Sequence, residues 1–187
     1  MRSPRRKVRS EPRSARLSPS RDFPGGVRMP HAGGCLCGNL RYEVATDPLW
    51  VTACFCTFCQ RATGSQGMVE PIFDVAVFRF TDGTPKRYTH ISGGSGKAVY
   101  VHFCPDCGTK IHLTFERWPD RLGVYAGTFE DPGWFEFTPE NSKYIFLDEA
   151  VRGTLVPAGF KTYGQHAASP DGDPRDPVIL DEVLHVR

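Results

Sequence analysis

The 187-residue chain has no apolar run near the roughly 18 residues that a membrane span requires, and its first thirty residues hold no apolar stretch fit for a signal-peptide core. A soluble, cytoplasmic protein is therefore expected. No segment carries apolar residues at helical spacing over twelve positions, which leaves strands as the expected building blocks. An even cysteine count is missing too. Seven cysteines in three local groups argue against a fully paired disulfide framework, and for thiolates used as ligands in a reducing compartment.

A strong net charge is also absent, since 23 Lys and Arg stand against 21 Asp and Glu, for +2. That average hides an asymmetry. Residues 1–28 hold nine basic residues against two acids, or +7, so the remaining fourteen against nineteen give −5. The leader mixes arginine with serine and proline and has little apolar surface to offset chain entropy, so it is expected to be disordered. Three roles fit it: an arm that attracts nucleic-acid phosphates, an organelle transit peptide, or an over-extended reading frame whose true start is Met29.

From Gly33 onward the chain is densely punctuated, with 19 Gly and 16 Pro in the whole sequence. Leu40, Tyr42 and Val44 alternate with Arg41 and Glu43, the period of a half-buried strand. Similar runs occur at 75–80, 86–91, 98–103, 109–115, 121–125 and 143–147. The expectation is a mainly β, antiparallel fold of short hairpins over residues 29–165, one domain in length. Residues 166–187 are turn-rich and are expected to form a loose tail, with 178–186 able to dock as a short element.

The cysteines fall at Cys35-Leu36-Cys37-Gly38, at Cys54-Phe55-Cys56-Thr57-Phe58-Cys59 and at Cys104-Pro105-Asp106-Cys107-Gly108. Two thiolates one or two residues apart at a tight turn reach one ion, and the glycine after the pair lets backbone N–H groups turn toward the sulfurs. Zinc suits such soft ligands, and four sulfurs would also suit iron. Two pairs make a closed four-sulfur site, while the triplet supplies three sulfurs and leaves one position for water or substrate. Pairing the first group with the third clamps the start of the body to its middle. His102 or His112 would be the histidine to close the triplet.

Taken together, these motifs resemble the glutathione-dependent formaldehyde-activating enzyme family, also called the CENP-V/GFA domain. The resemblance rests on Gly33 to Gly38 followed by Leu40-Arg41-Tyr42, on Cys54 to Gly64, and on Phe103 to Thr109, within roughly residues 30–165. It implies an Mss4-like β fold with two zinc ions, a structural one on Cys35, Cys37, Cys104 and Cys107 and a catalytic one on Cys54, Cys56 and Cys59. It also implies a carbon–sulfur lyase reaction, written as addition of glutathione to formaldehyde. The later part of the chain departs from the family pattern at Lys143-Tyr144-Ile145-Phe146 and at Leu155, which bears on substrate identity and not on the metal ligands.

Four thiolates around Zn²⁺ carry −2 and three carry −1, so an anionic thiol needs local help in an already acidic body. Arg61 is the basic residue best placed to give it, with Thr63 and Ser65 offering hydroxyls and Gln60 and Arg41 as weaker candidates. Phe55 and Phe58 alternate with the ligands as a water shield or as core packing. Gly93-Gly94-Ser95-Gly96-Lys97 lacks the spacing of a phosphate loop and reads as a turn that borders a site. The expected partners are a small thiol and a small carbonyl. The rival reading is a non-catalytic zinc module that uses its basic leader to hold nucleic acid or protein.

Overall fold

Short stretches of β-branched and aromatic residues, cut by glycine and proline, build the strands of the computed structural model, which describes residues 30–187. The readings placed on the leader lie outside those residues. In chain order the elements are β1 (His31–Gly34), β2 (Arg41–Val44), β3 (Trp50–Cys54), α1 (Thr57–Thr63), β4 (Met68–Asp74), β5 (Phe78–Asp82) and β6 (Lys86–Ile91). There follow β7 (Ala98–Phe103), β8 (Lys110–Phe115), β9 (Arg121–Val124), β10 (Ser142–Ile145), β11 (Leu155–Val156), β12 (Lys161–Thr162), β13 (Val178–Ile179) and β14 (Leu184–His185). The fold is mainly β, as its sequence implies.

One sheet runs β1-β2-β5, a larger one runs β13-β12-β10-β3-β4-β9-β8-β7-β6, and β11 pairs with β14. Nearly all pairings are antiparallel. The exceptions are β10 against β3 and β10 against β12, which are parallel. The run at 75–80 is a strand only from Phe78, because Val75–Val77 forms a single 3-10 turn capped by the Asp74 carboxylate, which accepts from the Ala76 N–H at 2.8 Å. Beyond Gly164, β13 and β14 pair with β12 and β11 of the body.

Two apolar clusters divide the interior, and each surrounds one cysteine group. Leu40, Tyr42, Val44, Phe73, Ile111, Val124 and Phe129 pack around Cys35 and Cys104. Met68, Val101, Leu113, Tyr125 and Ile145 pack around Cys54 and Cys59. Tyr42 is fully buried, and its hydroxyl shares a 2.9 Å hydrogen bond with the Thr128 hydroxyl. Gly33 makes room for that ring, since a Cβ there would lie 2.3 Å from the Tyr42 hydroxyl. The fold thus places both cysteine groups in packed surroundings that limit their freedom to move apart.

Candidate metal centres and the cavities around them

The first centre joins two turns with the same local design. Cys35 and Cys37 lie between β1 and β2, and Cys104 and Cys107 lie between β7 and β8. In one turn the Gly38 N–H donates to the Cys35 carbonyl at 3.1 Å, and in the other the Gly108 N–H donates to the Cys104 carbonyl at 3.0 Å. Both glycines hold positive φ, 82° and 74°, a conformation costly for other residues. The turns are tied together by the Asn39 amide, which donates to the Asp106 carboxylate at 2.8 Å, and by the Leu36 N–H, which donates to the Thr109 hydroxyl at 3.2 Å.

The four sulfurs lie within 4.8 Å of one another, with Cys35 to Cys37 at 3.4 Å and Cys37 to Cys104 at 3.7 Å. A tetrahedral ion with bonds of about 2.3 Å places its sulfurs about 3.8 Å apart, so this group fits one metal ion. The Leu40 N–H donates to the Cys35 sulfur at 3.2 Å, and the Thr109 hydroxyl lies 3.1 Å from the Cys107 sulfur. The Thr109 hydroxyl and N–H, both donors, lower the Cys107 pKa to about 5.

The second centre sits where β3 runs into α1. Cys54 ends the strand, Cys56 caps the helix and Cys59 lies in its first turn, and their sulfurs are within 4.8 Å of one another. Periodicity missed this helix because it spans seven residues, too few for an apolar stripe. It is held instead by caps. The Cys56 sulfur accepts from the Cys59 N–H at 3.3 Å, the Glu149 carboxylate accepts from the Thr57 N–H at 2.6 Å, and Gly64 closes the other end. Thiols of Cys54 and Cys59 donating to Cys56 pull its pKa down to about 3, while the other two are pushed up. Among the described residues no fourth Cys, His, Asp or Glu ligand joins this group.

His102 and His112 do not close it. Their rings stack on each other at 4.2 Å, His102 Nε2 is 2.9 Å from the Thr114 hydroxyl, and His112 packs against Phe78 and Phe80. Gln60 and Thr63 are structural, since the Gln60 amide donates to the Phe55 and Glu149 carbonyls at 2.6 and 2.9 Å, and the Thr63 hydroxyl donates to the Cys59 carbonyl at 2.8 Å. The Ser65 N–H donates to the Thr63 hydroxyl at 3.2 Å, within the loop that follows the helix. Arg41 pairs with Glu130. Phe55 stacks on Tyr144, and Phe58 stacks on His90 at 4.5 Å.

Cavities flank the three-cysteine group. An outer cleft of about 820 Å³ is lined by Cys56, Arg61, Tyr88, Gly93, Lys110 and Phe146, among others. Arg61 and the glycine-rich turn thus share this opening with Cys56, the one triplet cysteine that lines it. A crevice of about 140 Å³ reaches all three cysteines together with Glu70, Arg117 and His166. Phe146 borders both spaces, and it alone among the described non-glycine residues holds positive φ, 59°.

Glu70 was not legible as a site residue. Its side chain is 7% exposed, and Oε1 has no hydrogen-bond partner among the described residues. Gly123 clears the space it fills, because a Cβ at that position would lie 1.8 Å from Oε1. Burial, with the Cys56 charge nearby, raises the Glu70 pKa to about 8. The Tyr125 hydroxyl is also buried without a hydrogen-bond partner among the described residues, and its pKa is raised by burial and then by the Cys59 and Glu70 charges. His166 stacks on Trp118 at 5.4 Å and accepts the Ala168 N–H at 3.0 Å, with burial lowering its pKa to about 4.

The pattern of the family described as "Glutathione-dependent formaldehyde-activating enzyme" matches residues 30–147, which include all seven cysteines. The chain belongs to that family. A Halomonas elongata protein named "Putative glutathione-dependent formaldehyde-activating enzyme" is 24% identical over 102 residues, which cover 52% of this chain and 64% of that protein. The match thus spans less than two thirds of that relative. A Rhodobacter sphaeroides protein of known crystal structure is 21% identical, with a TM-score of 0.43 over 58% of this chain and 92% of that one. Among the described residues of this family member, no helix is long and apolar enough to cross a membrane.

Proposed function

We propose that the protein is a zinc-dependent carbon–sulfur lyase that adds a thiol such as glutathione to a small carbonyl such as formaldehyde. The observation that carries this reading is the contrast between its two sulfur groups. Four sulfurs clamp two turns together, while three line a crevice of about 140 Å³ and one of them, Cys56, also borders the cleft of about 820 Å³. On this reading Cys35, Cys37, Cys104 and Cys107 hold a structural zinc, and Cys54, Cys56 and Cys59 hold one with a coordination position open to substrate.

Zinc at the triplet would keep a bound substrate thiol ionised, whereas a free thiol with a pKa near 8.5 is mostly protonated at neutral pH. The remaining work falls to side chains. Arg61 and Lys110 on the cleft wall attract an anionic thiol. The buried Glu70 carboxyl, kept protonated, gives its proton to the carbonyl oxygen as the sulfur–carbon bond forms, and recovers one from the next thiol. The Tyr125 phenol, which burial keeps neutral, packs in the apolar cluster around Cys54 and Cys59. The sum is thiol plus carbonyl giving a hydroxyalkyl thioether, which conserves atoms and needs no oxidant.

The test is the rate of hydroxymethylglutathione formation and exchange, followed by NMR with isotopically labelled formaldehyde. The zinc-loaded protein is expected to exceed the spontaneous rate, and C56S is expected to lose the excess. A wild-type rate equal to the spontaneous one at full zinc occupancy would overturn the proposal.

A further inference from the structure

Beyond the crevice lies a cavity of about 400 Å³ that formaldehyde does not require. A two-heavy-atom carbonyl is about the size of a water, whose share of liquid volume is about 30 Å³. It would fill less than a tenth of this space. The cavity and the crevice share Glu70, Phe115, Trp118, Ile145 and His166, so they adjoin directly behind the triplet. Its outer wall includes Ala167, Ala168, Gly172 and Pro174, beyond the residues that match the family pattern.

Sheet register orders this chamber. Trp50, Thr52 and Cys54 alternate along β3 and so share one face. Cys54 pairs with Met68 and Ile145, and Thr52 pairs with Glu70 and Lys143, so Glu70 and Lys143 flank Thr52 in one row. Trp50 pairs with Ile72 in the next row. At about 3.3 Å per residue, the face runs about 7 Å from the Cys54 row to the Lys143 row and about 13 Å to Trp50.

The two cations along it differ in their partners. Arg121 is held by Asp120 at 2.6 Å and Asp74 at 3.5 Å. Lys143 has no ion pair among the described residues; its ammonium lies over the Trp50 ring, 4.8 Å from the centroid. Its pKa is lowered by burial and then by Lys161, against the opposing influence of the Glu70 carboxyl in the same row. The chamber therefore offers a partly desolvated cation beside an indole, with Trp118 and Phe115 on the way to the sulfurs.

Building on the proposed thiol–carbonyl addition, we infer that this chamber binds an aldehyde carrying an aromatic ring and a carboxylate, with the carboxylate at Lys143 and the aldehyde toward Cys54, Cys56 and Cys59. A para-substituted benzene ring separates such groups by about 6 Å, and with about 3 Å of contact at each end it spans about 12 Å, within the roughly 7 to 13 Å that separate the Cys54 row from the Lys143 and Trp50 rows, between which the ammonium lies. In the reaction, the thiolate sulfur bonds to the aldehyde carbon and the carbonyl electron pair passes to oxygen. The oxygen then takes the proton that the thiol gave up on ionising, so the atoms balance and no redox partner is involved.

The probe for binding is 4-(hydroxymethyl)benzoate, which cannot react, titrated by calorimetry into the zinc-loaded protein. Saturable binding is expected, weakened about tenfold or more by K143M, the loss of one contact to a charged group. K143Q provides the same comparison if K143M fails to fold. Absent binding, or equal binding by a folded Lys143 variant, would overturn the inference. Adduct formation from glutathione with formaldehyde and with 4-formylbenzoate separates the two readings. Acceleration with formaldehyde but no binding of the probe sinks the chamber alone. Lys143-dependent binding with neither addition faster than its spontaneous rate upholds the chamber as a carboxylate site and sinks the proposed reaction.

Discussion

Replacing Glu70 by glutamine removes a buried acid while keeping its shape, and the consequence for stability has a definite sign. Burial raises the folded-state pKa from 4.5 to about 8, so between those values the folded protein keeps a proton that the unfolded chain has lost. The carboxyl's contribution to stability is fully present below pH 4.5 and is lost as pH rises through about 8. From pH 6 to pH 8 the wild type should lose about 2 kcal/mol relative to E70Q, from about 1.4 kcal/mol per pH unit that flattens near the upper pKa. The assay is urea unfolding of both zinc-loaded proteins across that range. Taking the difference cancels the cysteines, which are common to both. Two curves parallel in pH would refute the reasoning, because they would mean that Glu70 is ionised in the fold or that its surroundings are wet.

Three further outcomes follow from the same geometry. C104A should unfold the β body, because a structural zinc contributes on the order of 10 kcal/mol against a domain stability of about 5–15, whereas C56A should keep its far-ultraviolet circular dichroism and bind one zinc instead of two. G123A should destabilise the protein by about 2 kcal/mol or more, since its Cβ would meet Glu70 Oε1 at 1.8 Å, and a double-mutant cycle with E70A should recover most of that loss in urea unfolding. R61A should raise KM for glutathione about three- to fivefold with kcat nearly unchanged, the effect of one exposed charge, and steady-state kinetics would show it.

Much of the site was legible because its chemistry is local. Each cysteine pair and the triplet sits within a few residues, and β6 and β7 match their periodic runs at 86–91 and 98–103. Strands β3 and β4 escaped that reading for a physical reason. β3 is buried on both faces and does not alternate, and β4 carries Glu70 and Pro71 where a core strand is expected to be apolar. An acid in a sequence reads as a solvated face. Only the pairing of Glu70 with Thr52 and the clearance at Gly123 show that it points inward. His166 lines the crevice at the triplet and Lys143 the cavity adjoining it, both through contacts distant in the chain, which local pattern cannot reveal.

On the proposed function, Cys54, Cys56 and Cys59 hold a metal ion with a position open to a substrate sulfur. Replacing the metal with cobalt and titrating glutathione into the millimolar range, while recording the thiolate-to-cobalt absorption, tests it most directly. A saturable gain in the thiolate bands, lost in C56A, is the predicted result. A spectrum unchanged by glutathione would contradict the claim.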